Sequence, residues 1–286
     1  MNSYHKIGFI TFAQNTDTVD YLKLAYVQAM NIKNTQDFAL TPCAVIVDQA
    51  TSKLINDNHR RAFEYIIVLD QDLNSDSSNW KLANECQVFD LTPFDVTIKV
   101  ESDIWFTRSV VHWLKLLDKH DLVISTGCRT YKDTVSVSRH YRHFFDENLL
   151  PDVYNGIMMF KKTDQAKGFF ELAKQIRSNW LDISKNLKHC NETEPSTDVL
   201  YAVTSLIYGQ EKCTVPTADF MNFVHMKPYV QPYTPGLPWN EMIMNDVDGD
   251  MLRINNLNQY HPVHFYEKDF ITDSLVEYYE QRVGIN

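Results

Sequence analysis

Thr97-Ile98-Lys99-Val100-Glu101-Ser102-Asp103-Ile104-Trp105-Phe106 is an apolar, β-branched run broken near its end by two carboxylates one residue apart. Burying a carboxylate is costly unless something positive meets it. In an extended chain, residues two apart send their side chains to one face. Glu101 and Asp103 would then share a divalent cation such as Mg²⁺ or Mn²⁺, which keeps coordination positions for phosphate oxygens. The plainer alternative is that both acids are solvated or paired with lysine.

The segments around this stretch alternate between strand and helix patterns. Upstream, Ile7 to Phe12 ends in Ala13-Gln14-Asn15, and Val19 to Ile32 places Leu22, Ala25, Tyr26, Ala29 and Met30 on a helical stripe. Ala44 to Val47 ends in Asp48, and Tyr65 to Leu69 ends in Asp70. Downstream, the pattern predicts a helix over 108–120, a strand over 121–125, a strand over 154–160 and a helix over 164–180. A further helix over 199–207 is preceded by Ser196-Thr197-Asp198, which has the character of a cap. Continuous apolar strands separated by helices predict an α/β fold with a mostly parallel sheet covered on both faces, and ligands at the carboxyl ends of its strands. Residues 227–250, rich in Pro, Gly and Asp, read as an extended loop or lid, and an amphipathic helix closes the chain.

Composition sets limits. With 286 residues, 44% hydrophobic, 16 Phe and 15 Tyr, the chain can bury a large core. No linker or repeat divides it, so a single domain over 1–286 is expected. There is neither a long apolar leader nor a stretch of about 18 apolar residues, and a soluble cytoplasmic protein is expected. The five cysteines are scattered singly, without the paired spacing of a zinc site or a disulfide framework. A net charge of −10 argues against a surface that grips nucleic acid everywhere. A local basic patch remains open: Arg129, Lys132, Arg139 and Arg142 meet only Asp133 between residues 129 and 143, with Tyr131, His140, Tyr141 and His143 interleaved. The same stretch also reads as a solvated helix face.

Other constellations compete with Glu101 and Asp103. Asp70-Gln71-Asp72 also follows an apolar strand, but leads into a polar loop that would leave its acids in water. Asp246, Asp248 and Asp250 hint at calcium, yet the sixth and twelfth positions of such a loop are Met251 and Leu257 rather than Gly and an acid. His261 and His264 are three apart, and Pro262 places them in extended or turn structure. Tyr21 and Phe12 are candidates for stacking on a base.

The order of these blocks resembles the GT-A glycosyltransferases, in particular the retaining family of glycogenin and the bacterial lipopolysaccharide galactosyltransferases. The opening strand and helix with Asp17, Asp20 and Tyr21 resemble that family's nucleotide-binding start, and Glu101-Ser102-Asp103 its metal-binding acid-x-acid motif. Asn155-Gly156-Ile157 resembles its Asn-x-Gly strand, Ser196-Thr197-Asp198 its Asp-containing helix start, and Val263-His264-Phe265-Tyr266-Glu267-Lys268 its late His block. Leu150-Pro-Asp-Val-Tyr-Asn-Gly156 and Asn258-Gln-Tyr-His-Pro-Val-His264 also resemble GT-A-like proteins of T4-type tailed bacteriophages.

The resemblance implies a metal-dependent enzyme that moves a sugar from a nucleotide-diphosphate donor, most simply a UDP-sugar, to an acceptor hydroxyl. Asp103, His264 and Glu101 would hold Mn²⁺ or Mg²⁺. Ala13, Gln14, Asn15, Tyr21, Asp48, Glu101, Ser102, Gly156 and Lys268 would bind the donor, in a nucleotide half over about 1–125. Asn155 and Asp198, with Asp152 in reserve, would serve the sugar in the half over about 126–286, and Arg129, Arg139 and Arg142 the acceptor. A phage origin would make a hydroxymethylated base in DNA the acceptor and the host cytoplasm the location. A saccharide or lipid-linked glycan is the other acceptor, and a non-catalytic nucleotide-binding protein the non-enzyme reading. Two departures bear on mechanism: Glu101 stands where Asp is usual, and Ser196-Thr197-Asp198 stands for Asp-Gln-Asp, which leaves the stereochemistry open.

Overall fold

The structure, a computed structural model, describes residues 6–37, 42–74, 81–136, 142–214, 220–227, 243–248, 251–265 and 267–285. The strands are β1 (Ile7–Phe12), β2 (Cys43–Val47), β3 (Tyr65–Val68), β4 (Val96–Val100), β5 (Ile104–Trp105), β6 (Leu122–Thr126) and β7 (Val153–Lys161). They continue as β8 (Val224–His225), β9 (Asn245–Asp248), β10 (Met251–Ile254), β11 (Leu257–Asn258) and β12 (Val263–His264). Six of them form the central sheet in the order β3-β2-β1-β4-β7-β6. The pairs β3–β2, β2–β1 and β1–β4 are parallel, and β7 runs against both β4 and β6. The sheet is thus mostly parallel, with β7 the reversed strand.

The central strands β2 and β4 are buried at every position because helices cover both faces. On one face the helices Tyr21–Thr35 and Asp273–Val283 pack with Phe106 and Trp113. On the other, Asp164–Ser178 and Thr197–Tyr208 pack with Phe89 and Phe160. The first helix starts at Tyr21 because Asp20 caps it, accepting from the Lys23 N–H, and Asn15 accepts from the Leu22 N–H at 2.8 Å.

Three local expectations change. The stretch over 97–106 is not one extended strand: β4 ends at Val100, the Ile104 N–H bonds back to the Glu101 carbonyl at 3.1 Å, and the chain leaves the sheet through a turn. Gln28 and Asn31, buried amides on the first helix, receive it there. Gln28 Nε2 donates to the carbonyls of Glu101 and Ile104, and Asn31 exchanges hydrogen bonds with both backbone groups of Phe106. The helix expected over 108–120 is a 3₁₀ segment, Val111–Asp118, whose start at Val110 lacks a capping side chain. The basic stretch is not one helix face either. Arg129 bridges back to Val135, a helix occupies only His143–Glu147, and residues 137–141 lie outside the described residues.

Among the described residues there are also two small sheets. β9, β10 and β11 form an antiparallel meander, so Asp246 and Asp248 belong to a strand rather than to a loop. Most of the expected lid, 228–242 and 249–250, lies outside the described residues. The sheet β5-β12-β8 lies at the exit of β4 and decides the geometry of the site.

Candidate active site

The turn after β4 and the pairing of β12 bring three ligating side chains together. β12 runs antiparallel to β5, with His264 opposite Ile104, and the Phe265 N–H bonds to the Asp103 carbonyl at 3.1 Å. His264 Nε2 thereby lies 3.0 Å from Asp103 Oδ1 and 3.3 Å from Glu101 Oε2. One ligand atom from each of Glu101, Asp103 and His264 lies within 4.8 Å of the others, the one such group of three among the described residues. Two carboxylates and an imidazole around one point form a donor set that could hold Mn²⁺ or Mg²⁺.

The electrostatics agree with that use. Lys268 pairs with Asp103 through Oδ2. Burial pushes the Asp103 carboxyl up, but His264 and Lys268 outweigh it and hold it well below the usual aspartate range. Burial lowers Lys268, and the Asp103 charge more than restores it, so the ammonium stays charged. Tyr21, on the first turn of the first helix, feels the charges of Lys268, Asp103 and Glu101, and its hydroxyl is raised chiefly by burial. Ser102, between the two acids, is buried.

A cavity of about 280 Å³ opens beside this cluster. Glu101, His264, Gly156, Asp198 and Arg142 line it, with Phe144, Phe145, Tyr154 and Phe223 as an aromatic wall. Asp198 lies in the first turn of its helix but does not cap it, and Ser196 makes no side-chain cap either. Instead Asp198 Oδ1 accepts the Asn155 N–H at 2.7 Å and Oδ2 accepts from Arg142 at 3.0 Å.

Several expected residues have other partners. Asn155 is fully buried, and its side-chain amide donates to Glu85 and to Glu101, the latter at 3.1 Å. Arg142, expected to meet an acceptor, is 1% exposed and is held between the rings of Tyr154 and Phe145 while it pairs with Asp198 and Asp152. Arg129 pairs with Asp133 at 2.8 Å, and Arg139 lies outside the described residues. Ala13 is buried with its N–H on the Ile46 carbonyl, and Asn15 serves the start of the first helix. Gln14 meets Asp48, Asp72 and Asn84, while Asp48 also caps Gln49–Ser52 and pairs with Lys81 at 2.8 Å. The rival acid Asp72 is thereby committed to Gln14, Asn74 and Asn84. His261 bonds to Asp133 at 3.1 Å, away from the cluster.

The sequence reading did not single out Glu85, Lys99 or His225. Lys99, the last residue but one of β4, pairs with Glu85 at 2.6 Å. A lysine inside an otherwise apolar central strand was the available signal, since it demands an acid partner. His225, opposite His264 in β8, stacks on it with ring centroids 4.6 Å apart and planes 3° apart. Burial, then the neighbouring His264, push His225 well below the usual histidine range, so its ring is neutral.

No protein-family model and no curated protein matches the sequence. Solved structures do match. The galactosyltransferase LgtC, in complex with donor and acceptor sugar analogs, superposes with a TM-score of 0.55 at 12% identity, covering 97% of this chain and 95% of that one. This chain has the GT-A fold. An active-site mutant of LgtC gives 0.53 at 11% identity, with the same coverage. Mouse xyloside xylosyltransferase 1 in its apo form gives 0.49 at 11% identity over 74% of this chain and 85% of that one. Within the GT-A fold of this chain, Glu101, Asp103 and His264 lie where β4 leaves the central sheet. No helix among the described residues is long and apolar enough to cross a membrane.

Proposed function

We propose that this protein is a metal-dependent glycosyltransferase that moves a sugar from a nucleotide-diphosphate donor, a UDP-sugar in the simplest case, to an acceptor hydroxyl in the cytoplasm. The observation that carries the reading is the convergence of Glu101, Asp103 and His264, with Lys268 beside them, at the exit of β4 in a GT-A fold. In such a transfer the acceptor hydroxyl oxygen attacks the anomeric carbon, the bond to the diphosphate breaks, negative charge builds on the leaving phosphate, and the hydroxyl proton passes to a carboxylate base or to the leaving phosphate oxygen. Mn²⁺ or Mg²⁺, held by Glu101, Asp103 and His264, would supply positive charge to that leaving group. Lys268 adds a second cation at the same place. Tyr21 stands on the nucleoside side, in the half over about 1–125. Asp198, fixed by Arg142 and the Asn155 N–H, lines the cavity and holds a sugar hydroxyl, and the aromatic wall gives the apolar face of a sugar ring a surface to lie on.

The acceptor reading favoured by the site is a saccharide hydroxyl. Of the three arginines expected to meet DNA phosphates, Arg142 is buried among acids and rings and Arg129 is paired with Asp133. Phosphate recognition needs cations that can neutralise the backbone, and the net charge of −10 gives no general help. A donor-hydrolysis screen with UDP-, GDP- and TDP-sugars and Mn²⁺, run with saccharide acceptors and with hydroxymethylcytosine DNA, tests the reading. Turnover stimulated by a saccharide supports it. Turnover stimulated by that DNA replaces the acceptor class, and silence with every donor reduces the protein to a nucleotide-binding GT-A domain.

A further inference from the structure

A buried polar chain runs from Lys99 in β4 to the ligating cluster. Lys99 is 0% exposed and its ammonium is bound by Glu85 at 2.6 Å and by the Asn155 carbonyl at 3.1 Å. Glu85 accepts from the Asn155 side-chain amide, and the same amide donates to Glu101 Oε1 at 3.1 Å. The other Glu101 oxygen, Oε2, faces His264 at 3.3 Å. The segment Ala83–Gln87, β4 and β7 each contribute one link, and each link is buried.

We infer that Glu85, locked by Lys99, is a positioning residue for the metal site: it fixes the Asn155 amide, which grips one Glu101 oxygen and presents the other to the cation. The physical need arises from Glu101 itself. A glutamate carries one more rotatable bond than an aspartate, and that freedom must be removed before its carboxylate can serve as a ligand of defined place. Partners that orient a ligating carboxylate typically change metal affinity by about 10–100-fold when removed. The inference rests on the metal reading made under Proposed function.

The test is Mn²⁺ affinity, read by electron paramagnetic resonance of the free ion with no donor or acceptor present. Lys99→Met with Glu85→Leu removes both charges and the acceptor while keeping the volume, an exchange that buried ion pairs commonly tolerate. This double variant is expected to keep its thermal midpoint within a few degrees and to bind Mn²⁺ about 10–100-fold more weakly. Lys99→Met with Glu85→Gln returns an oxygen acceptor to Asn155 and is expected to regain most of that affinity. Wild-type affinity in the leucine variant, or failure of the glutamine variant to regain it, overturns the inference while leaving the metal reading intact. If the leucine variant does not fold, Asn155→Ala, which keeps the ion pair, is read instead: weakened Mn²⁺ binding supports the link and unchanged binding overturns it. Absence of Mn²⁺ binding in the wild type removes both readings.

Discussion

The guanidinium of Arg142 lies 3.6 Å from the ring centroid of Tyr154, and from that seat its Nη2 reaches Asp198 Oδ2 at 3.0 Å. Phe145 covers the group at 4.3 Å, and Asp152 lies 3.4 Å from its Nε. A planar cation on a ring with two carboxylates at its edge is an arrangement that lysine does not reproduce.

Arg142→Ala therefore leaves two carboxylates without their cation and opens space between two rings. The expected cost in urea unfolding is about 3 kcal/mol, the lower end for breaking a buried pair because both acids are partly exposed. Arg142→Lys should recover less than half of it. A loss under about 1 kcal/mol for the alanine variant would show that the acids do not depend on Arg142.

Asp103→Ala removes the ligating carboxylate held most tightly, by His264 and Lys268. Mn²⁺ binding measured by calorimetry should weaken by more than about 100-fold, since one anchor of three is gone and Lys268 then repels the cation. His264→Ala should weaken it too. Asp72→Ala, in the rival acid pair, should leave Mn²⁺ affinity unchanged, and a loss there would move the metal site.

Asp48 links stability to pH. Burial raises its carboxyl, but the Lys81 ammonium and the Thr51 N–H outweigh burial and leave it below the ordinary aspartate value of 3.8. A lowered native value means that the charged form stabilises the fold above that ordinary value, and that the contribution is lost as pH falls through the native one. Asn at this position still caps Gln49–Ser52, so Asp48→Asn isolates the charge. At pH 7 the variant should be less stable by about 1 kcal/mol, and the difference should shrink as pH falls below 3.8 and through the lower native value. A difference that does not change with pH would overturn this assignment.

Gly8 in β1 lies under the face of the Phe94 ring. A Cβ there would come within 2.4 Å of ring carbons, inside any allowed contact. Gly8→Ala should cost about 1–3 kcal/mol in thermal or denaturant unfolding through overpacking. Adding Phe94→Leu should return part of that loss, because the two positions share one space. Additive losses would show that the ring already yields.

The legibility of the chain follows the range of the interactions. The strands β1, β2 and β7, the start of β4 and the helices Tyr21–Thr35, Asp164–Ser178 and Thr197–Tyr208 follow the periodicity because that signal is local, whereas the cap read at Ser196-Thr197-Asp198 does not form. Glu101 and Asp103 stood out because acids in an apolar run are anomalous within ten residues. The turn that carries Asp103 was read as strand, since what ends β4 is the pull of Gln28 and Asn31, more than seventy residues earlier. Arg142 read as surface for the same reason: its acids and the Tyr154 ring come from other elements, and a run of basic residues carries no sign of burial.

The order of residues along the chain is enough to set the alternation of apolar strands and amphipathic helices, hence a covered, mostly parallel sheet, and to mark the acids at the end of β4. Both properties arise from neighbours along the chain, where side-chain period and backbone preference act. Which polar groups lose water, and which partners meet them, is set by packing between distant segments. His264 reaches Asp103 through β5–β12 pairing, Asn155 bridges Glu85 and Glu101, and Lys99 is sealed with an acid fourteen residues away. Desolvation and charge pairing depend on what packs across space, and a linear text does not carry that information.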